Sequence, residues 1–423
     1  LTPKTIKKLI VNKNMKHYNF DEVIERHGTS CVKFDRLKEM FGDENLIPLW
    51  VADMDFRTPD FIVEALKKRC EHEIFGYTFG SDEYYESIIN WVHYKHNWKI
   101  QREWISYIPG IVKGIAFAIQ CFTQKGDKVI IQPPVYHPFR IVPEKMKREV
   151  VYNPLKMVDG IYEMDFDHLE SIIDDECKVL ILCNPHNPGG IVWKKETLVR
   201  LADICAKHNI LVISDEIHAE MAYPQYTHYP FASVSDNTPS LSGTPLPPSP
   251  PVSDPAASCS VTFMAPSKTF NIAGIVTSYA IVPNDRIREE FYSFLEAGEF
   301  GDGTIFAYTA TTAAYTYGAE WLQQMRMYIM ENVRFVEEFM KQHLPKIKVY
   351  QPQASFLVWL DCRELKLSQD ELVHLFKDKA GLALNDGSIF GPGGEGHMRL
   401  NIGCPRSVLD KAMNALKKAV DKK

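Results

Sequence analysis

The chain has 423 residues, 45% of them hydrophobic, enough to bury one large core and a second, smaller one. A formal charge of −6, with 24% charged residues, gives no electrostatic reason to expect a nucleic acid or an anionic membrane as partner. The 9 cysteines are scattered without a Cys-x-x-Cys pair, which suits a reducing cytoplasm better than a disulfide framework or a zinc site, and no apolar run approaches the ~20 residues of a membrane helix.

In chain order, residues 1–14 (LTPKTIKKLIVNKN) are basic, carry too short an apolar stretch for a signal sequence, and read as a loose extension ahead of Met15. Residues 15–60 are expected to join a small domain completed at the other end of the chain. From 61 to 314, short apolar runs alternate with amphipathic stretches. The segment Pro109-Gly110-Ile111-Val112-Lys113-Gly114 opens an apolar helix running to Phe122. Lys128-Val129-Ile130-Ile131-Gln132 is a β-branched run ending in Pro133-Pro134, and residues 178–183 (KVLILC) are another, ending at Asn184-Pro185. Residues 196–208 place Leu198, Leu201, Ile204 and Cys205 on one helical face, and residues 210–214 (ILVIS) end at Asp215-Glu216. Residues 237–256 (NTPSLSGTPLPPSPPVSDPA) are rich in Pro and Ser and read as a surface insert. Residues 261–264 then lead into Ala265-Pro266-Ser267-Lys268.

Strands alternating with helices imply an α/β fold, a mostly parallel sheet covered on both faces, in which ligands gather beyond the carboxyl ends of the strands. From 315 to 423 the character changes. A long helix is expected over 321–344, a strand over 355–360, a helix near 369–379, a Gly-rich turn over 390–396 leading to Met398-Arg399-Leu400-Asn401-Ile402-Gly403, and a final helix. This reads as a smaller α+β domain.

Several polar residues stand just past the strand ends. Lys268 follows a buried strand among small and apolar residues, where desolvation lowers an amine's pKa and makes it a nucleophile and base. Asp215 ends an apolar strand; alone it would read as a helix N-cap or half of a buried ion pair. Asn187 lies in Asn184-Pro185-His186-Asn187-Pro188-Gly189-Gly190, whose prolines and glycines fix its amide. His218, three residues after Asp215, is a second donor, although a lone histidine is more often structural. Ile111 and Val112, after Gly110, would present free backbone N–H groups to a phosphate. Tyr136 could stack on a flat ring or fill the core, and Arg399 could clamp a carboxylate or sit on the surface. A lysine, a buried acid, a donor amide, a phosphate cradle and a cation are together what amino-acid chemistry with pyridoxal 5′-phosphate requires.

In this order these residues resemble the fold-type-I pyridoxal-phosphate enzymes, the class I/II aminotransferase superfamily with the aspartate aminotransferase fold. The nearest branch is that of the bacterial cystathionine β-lyases and C–S lyases. It is carried by Trp50-Val51-Ala52-Asp53-Met54-Asp55-Phe56, Phe75-Gly76-Tyr77-Thr78, Asp215-Glu216-Ile217-His218, Ala265-Pro266-Ser267-Lys268-Thr269-Phe270-Asn271 and Arg399-Leu400-Asn401-Ile402-Gly403-Cys404-Pro405. The resemblance implies that Lys268 holds the cofactor covalently, Asp215 pairs with its ring nitrogen, Asn187 and His218 reach its phenolic oxygen, and Tyr136 stacks on the ring. It implies that Ile111, Val112 and Ser267 hold the phosphate together with Tyr77 of a neighbouring subunit, so that a homodimer is required. Arg399, Ala52 and Asn187 would bind the amino-acid substrate. The implied reaction is β-elimination on a sulfur amino acid, with an aminotransferase or a cofactor-retaining regulatory protein as rivals. Two features depart from the superfamily: Val276 stands where many members place a phosphate-binding arginine, and the Asp215–Lys268 separation is long because of the Pro-rich segment.

Overall fold

The structure is a computed structural model that describes residues 16–234 and 254–422. Its main sheet has seven strands: β1 Ile105–Ile108, β2 Lys128–Ile131, β3 Glu149–Tyr152, β4 Cys177–Cys183, β5 Leu211–Asp215, β6 Ser260–Met264 and β7 Ser278–Ile281. They lie in the order β1-β7-β6-β5-β4-β2-β3. The pairs from β6 through β3 are all parallel, and β7 runs antiparallel to both β6 and β1.

Alternation along the strands explains the two covered faces. Val129, Ile131, Val179, Ile181, Leu211 and Ile213 point into one apolar cluster, with Ile115 and Ile119 of helix Ile111–Phe122 and Phe291 of helix Asp285–Ala297. Ile130, Leu180, Leu182 and Val212 point the other way, onto Leu198, Leu201 and Cys205 of helix Lys195–Lys207. Each fully buried Leu or Ile contributes roughly 1.5–3 kcal/mol relative to exposure, so the alternation fixes the strand register strongly.

The C-terminal part holds a four-stranded antiparallel sheet of β8 Lys348–Val349, β9 Leu357–Asp361, β10 Asn385–Asp386 and β11 His397–Asn401, in the order β8-β9-β11-β10. Helix Ala319–His343 and helix Arg406–Asp421 accompany it; the latter buries Leu409, Ala412, Met413, Leu416 and Ala419, an i, i+3, i+4, i+7 stripe. Ile47 and Pro48 pair in parallel with Leu382 and Ala383, which ties the early chain to this part. No described helix is long and apolar enough to cross a membrane.

The expected strands and helices occur within a few residues of their expected bounds. Two readings need adjusting. The helix near 369–379 is α-helical over Gln369–His374 and widens into a π-helix over Leu375–Lys379. Of the surface insert expected over 237–256, residues 237–253 lie outside the described residues. Its last residues are not all surface: Asp254, buried, caps a helical turn over Pro255–Ser258, and Ala256 is fully buried. The extension over 1–14 also lies outside the described residues.

Candidate active site

The carboxyl ends of β4, β5 and β6 converge because their register is parallel: Cys183 stands opposite Asp215, and Asp215 opposite Phe263. The residues just past those ends, Asn187, Ile217, His218, Ser267 and Lys268, line a cavity of about 190 Å³ with Cys183 and Asp215. Its other walls are Ala52, Tyr136, Gly110, Ile111, Val112 and residues 276–278. Distant sequence motifs thus meet at one place, as the sheet topology requires.

Asp215 is buried, and desolvation pushes its carboxyl up to about 7. One oxygen accepts the backbone N–H of Ile217 at 3.1 Å, and the carboxylate forms no ion pair with any described residue. Lys268 Nζ donates to the Ala52 carbonyl oxygen at 2.6 Å, and burial lowers its pKa, with Asp53 opposing that shift and Arg399 adding to it. Burial also drops His218 to about 3, so its imidazole is neutral; Nδ1 lies 3.2 Å from Ser355 Oγ. Gly110 sits at φ +107° before helix Ile111–Phe122, a conformation open to glycine, and the first N–H groups of that helix have no partner within it.

Arg399 lies behind Asn187 and does not line the cavity itself. Its Nη1 donates to Asn187 Oδ1 at 3.1 Å, and its Nη2 donates to the Trp50 carbonyl at 3.0 Å and Asn385 Oδ1 at 2.6 Å. The guanidinium is centred 5.0 Å from the Phe390 ring, and burial lowers its pKa to about 10. With Asn187 Oδ1 taken up by Arg399, the Asn187 side-chain nitrogen remains as the donor. Asn187 N–H in turn bonds to Cys183 Sγ at 3.3 Å.

Residues 50–56 form a strap across this region, and the other motifs hold it. Asn271 bonds to Met54 and Phe56 backbone, and Asn401 bonds to the Val51 and Asp53 carbonyls. Lys33, fully buried, and Arg26 both pair with Asp55 and Asp53. The carbonyl of Ala52 is thereby presented to Lys268.

Ten of the sequence-derived residues are gathered here: Ala52, Ile111, Val112, Tyr136, Asn187, Asp215, His218, Ser267, Lys268 and, in the layer behind, Arg399. Tyr77 is not among them. It is fully exposed on a segment without regular structure, beside exposed Phe75 and Phe79. Val276 lines the cavity in the left-handed region at φ +59°, rare for a β-branched residue, with its carbonyl accepting from Tyr107 Oη at 2.8 Å. Residues that sequence reasoning missed are Cys183, Ser355, Asn385 and Phe390. Cys183 had a signal, since it ends a strand as Asp215 does; the other three are set by pairings between distant segments.

Residues 44–416 match the family described as aminotransferase class I and II. The chain is 42% identical to cystathionine beta-lyase PatB of Bacillus subtilis, covering 95% of this chain and 100% of that protein. The crystal structure of cystalysin from Treponema denticola, which contains a pyridoxal 5′-phosphate cofactor, superimposes with a TM-score of 0.89 at 34% identity, covering 96% of this chain and 100% of that one. The pyridoxal-phosphate-bound C–S lyase from Staphylococcus hominis gives a TM-score of 0.84 at 32% identity, covering 96% and 98%.

Proposed function

The chain belongs to the aminotransferase class I and II family, and from that membership we propose that it is a pyridoxal-phosphate enzyme that cleaves the Cβ–S bond of sulfur amino acids such as cystathionine and, with one water taken up, gives a thiol, pyruvate and ammonia. The observation that carries this is the cavity in which the Lys268 amine and the buried Asp215 carboxyl share walls with the open N-terminus of helix Ile111–Phe122. It joins the likeness to PatB and to the two lyase structures.

The residues fit the cofactor. Asp215 is an acid that burial raises to about 7, and a protonated ring nitrogen would give its carboxylate a counter-charge. The helix N-terminus, reached across Gly110 and flanked by Ser267, suits a phosphate. When bound, pyridoxal phosphate supplies an electron-poor ring that accepts the electron pair left by loss of the substrate's Cα proton.

The chain's own groups do the rest. Lys268, whose pKa burial lowers, would anchor the cofactor and then take the Cα proton at Nζ. Asp215 would hold a proton at the ring nitrogen, and its burial would strengthen that charge interaction. Asn187 and the neutral His218, which line the cavity, would donate to the ring's phenolic oxygen, and Tyr136 would cover one ring face. Arg399 receives the substrate carboxylate, and the Ala52 carbonyl faces the amino group. The departing sulfur leaves from Cβ as a thiolate, a good leaving group that needs no acid as strong as an alkoxide would.

A homodimer completes the site, with Tyr77 reaching the phosphate of the neighbouring subunit; its full exposure beside Phe75 and Phe79 supports this. A cytoplasmic location accords with 9 cysteines of which none is paired. The test is incubation with cystathionine and no keto acid. Equal release of pyruvate, ammonia and homocysteine is the expected result; no pyruvate, with the amino group passing to an added keto acid while the Cβ–S bond stays intact, would replace the lyase reading with an aminotransferase.

A further inference from the structure

Arg399 is held entirely by neutral groups. Its register partner on the edge strand β10 is Asn385, directly across the antiparallel ladder. The side chain of Asn385 makes the shortest of the guanidinium's contacts, 2.6 Å to Nη2, against 3.0 Å to the Trp50 carbonyl and 3.1 Å to Asn187 Oδ1. The fourth neighbour is the Phe390 ring, five residues further along the same segment. No carboxylate of any described residue pairs with this arginine, although it is 4% exposed. Its Nε is buried without a partner.

A buried cation usually has a counter-charge, because desolvation is otherwise costly. Here three of the five N–H groups are directed to uncharged oxygens, which fix the plane of the guanidinium without cancelling its charge. The remaining N–H groups and the whole positive charge are left for an anion that arrives from outside. An amide and a carboxylate have nearly the same shape, so only the charge of the side chain at position 385 separates a poised site from a neutralised one.

We propose that Asn385 is a positioning residue that sets the affinity for the substrate's carboxylate, by orienting Arg399 while leaving it uncompensated. This rests on the reading of Arg399 as the carboxylate site. It extends that reading to a residue that touches neither cofactor nor substrate.

The experiment compares Asn385→Asp, Asn385→Ala and Arg399→Ala in the cofactor-loaded enzyme. The probe is l-alanine, which has the α-carboxylate but no leaving group, titrated by the absorbance of the bound cofactor; KM and kcat for cystathionine are measured beside it. Asn385→Asp pairs with the guanidinium and should weaken alanine binding and raise KM by about 10–100-fold, with kcat within about 3-fold of the wild type. Asn385→Ala removes one of three anchors and should cost only a few-fold. A role in packing alone would reverse the order, since alanine loses the volume and aspartate keeps it. Alanine binding within about twofold of wild type in Asn385→Asp, or a larger loss in Asn385→Ala, overturns the proposal while leaving Arg399 in place if Arg399→Ala is itself impaired. Unchanged binding in Arg399→Ala overturns both the carboxylate site and the role of Asn385.

Discussion

Lys268 Nζ donates a 2.6 Å hydrogen bond to the carbonyl oxygen of Ala52, a residue 216 positions earlier in the chain. The amine just past the end of one strand of the main sheet is thus tied to the strap at residues 50–56, which Asn271 and Asn401 hold from either side. On the proposed roles, converting Lys268 to Ala removes both the cofactor's anchor and the base. Elimination should fall by at least about 10²–10⁴-fold, and borohydride should then fix no cofactor to the protein. Reduction of the wild type and peptide mapping should label Lys268; label on another lysine would remove it from the role.

Asp215 gives a pH dependence whose sign is set by its burial. Folding raises its carboxyl from 3.8 to about 7, so the proton is held more tightly in the folded chain. The contribution of this group is fully present below about pH 4 and is lost as pH rises toward 7. In cofactor-free protein, Asp215→Asn should therefore become more stable than the wild type by a few kcal/mol as pH rises from about 5 to 8. Once the cofactor is bound the same variant should lose most activity. Denaturation curves at several pH values check the first part, and a stability gap that does not change with pH would contradict it.

Glu216, fully buried next to Asp215, accepts from Ser214 Oγ at 2.8 Å, His228 Nε2 at 2.8 Å and Phe231 N at 2.7 Å. Glu216→Ala leaves three buried donors without an acceptor. A loss of about 3–5 kcal/mol is expected, and Glu216→Gln should cost less because one oxygen remains. Urea denaturation of the two variants gives the comparison; equal stabilities would show that the three bonds matter little.

Gly387 lies immediately after β10, close to the Arg399 environment. A Cβ added there would collide with the backbone carbonyls of Gly394 and His397. Backbone atoms cannot swing aside as a flexible side chain can, so Gly387→Ala should cost about 1–3 kcal/mol or more and shift Phe390. The accompanying signature is a raised KM for cystathionine with the cofactor retained.

Tyr77 tests the proposal that two subunits share a site. Neither Tyr77→Ala nor Lys268→Ala should be active alone. Mixed dimers of the two should each regain one intact site, so random pairing restores about a quarter of wild-type activity. No recovery on co-expression would place Tyr77 outside the neighbouring site.

Much of the fold and of the site is legible in the amino-acid sequence alone. Apolar runs ending in polar clusters locate β2, β4, β5 and β6 within a residue or two, because a strand buried on both faces must be apolar throughout. Lys268, Asp215 and Asn187 are visible for the same reason: each stands among the first polar residues at or beyond the end of such a run. The hidden part depends on long-range pairing. Asn385 meets Arg399 only through an antiparallel register, and Ser355 meets His218 only where two separate segments pack. The end of the Pro-rich segment is misplaced by sequence because its composition masks Ala256, which the helical turn over Pro255–Ser258 buries. Tyr77 stands apart from the cavity, fully exposed on a segment without regular structure.

The most direct measurement is a side-by-side rate comparison on one preparation: cystathionine alone, against alanine or aspartate with 2-oxoglutarate. In the proposed mechanism both reactions begin with Lys268 taking the Cα proton, so the comparison isolates the later, diverging steps. Faster pyruvate release from cystathionine than amino-group transfer to 2-oxoglutarate is the expected result. Faster transfer would contradict the lyase assignment while leaving the fold and the Lys268–Asp215 site as described.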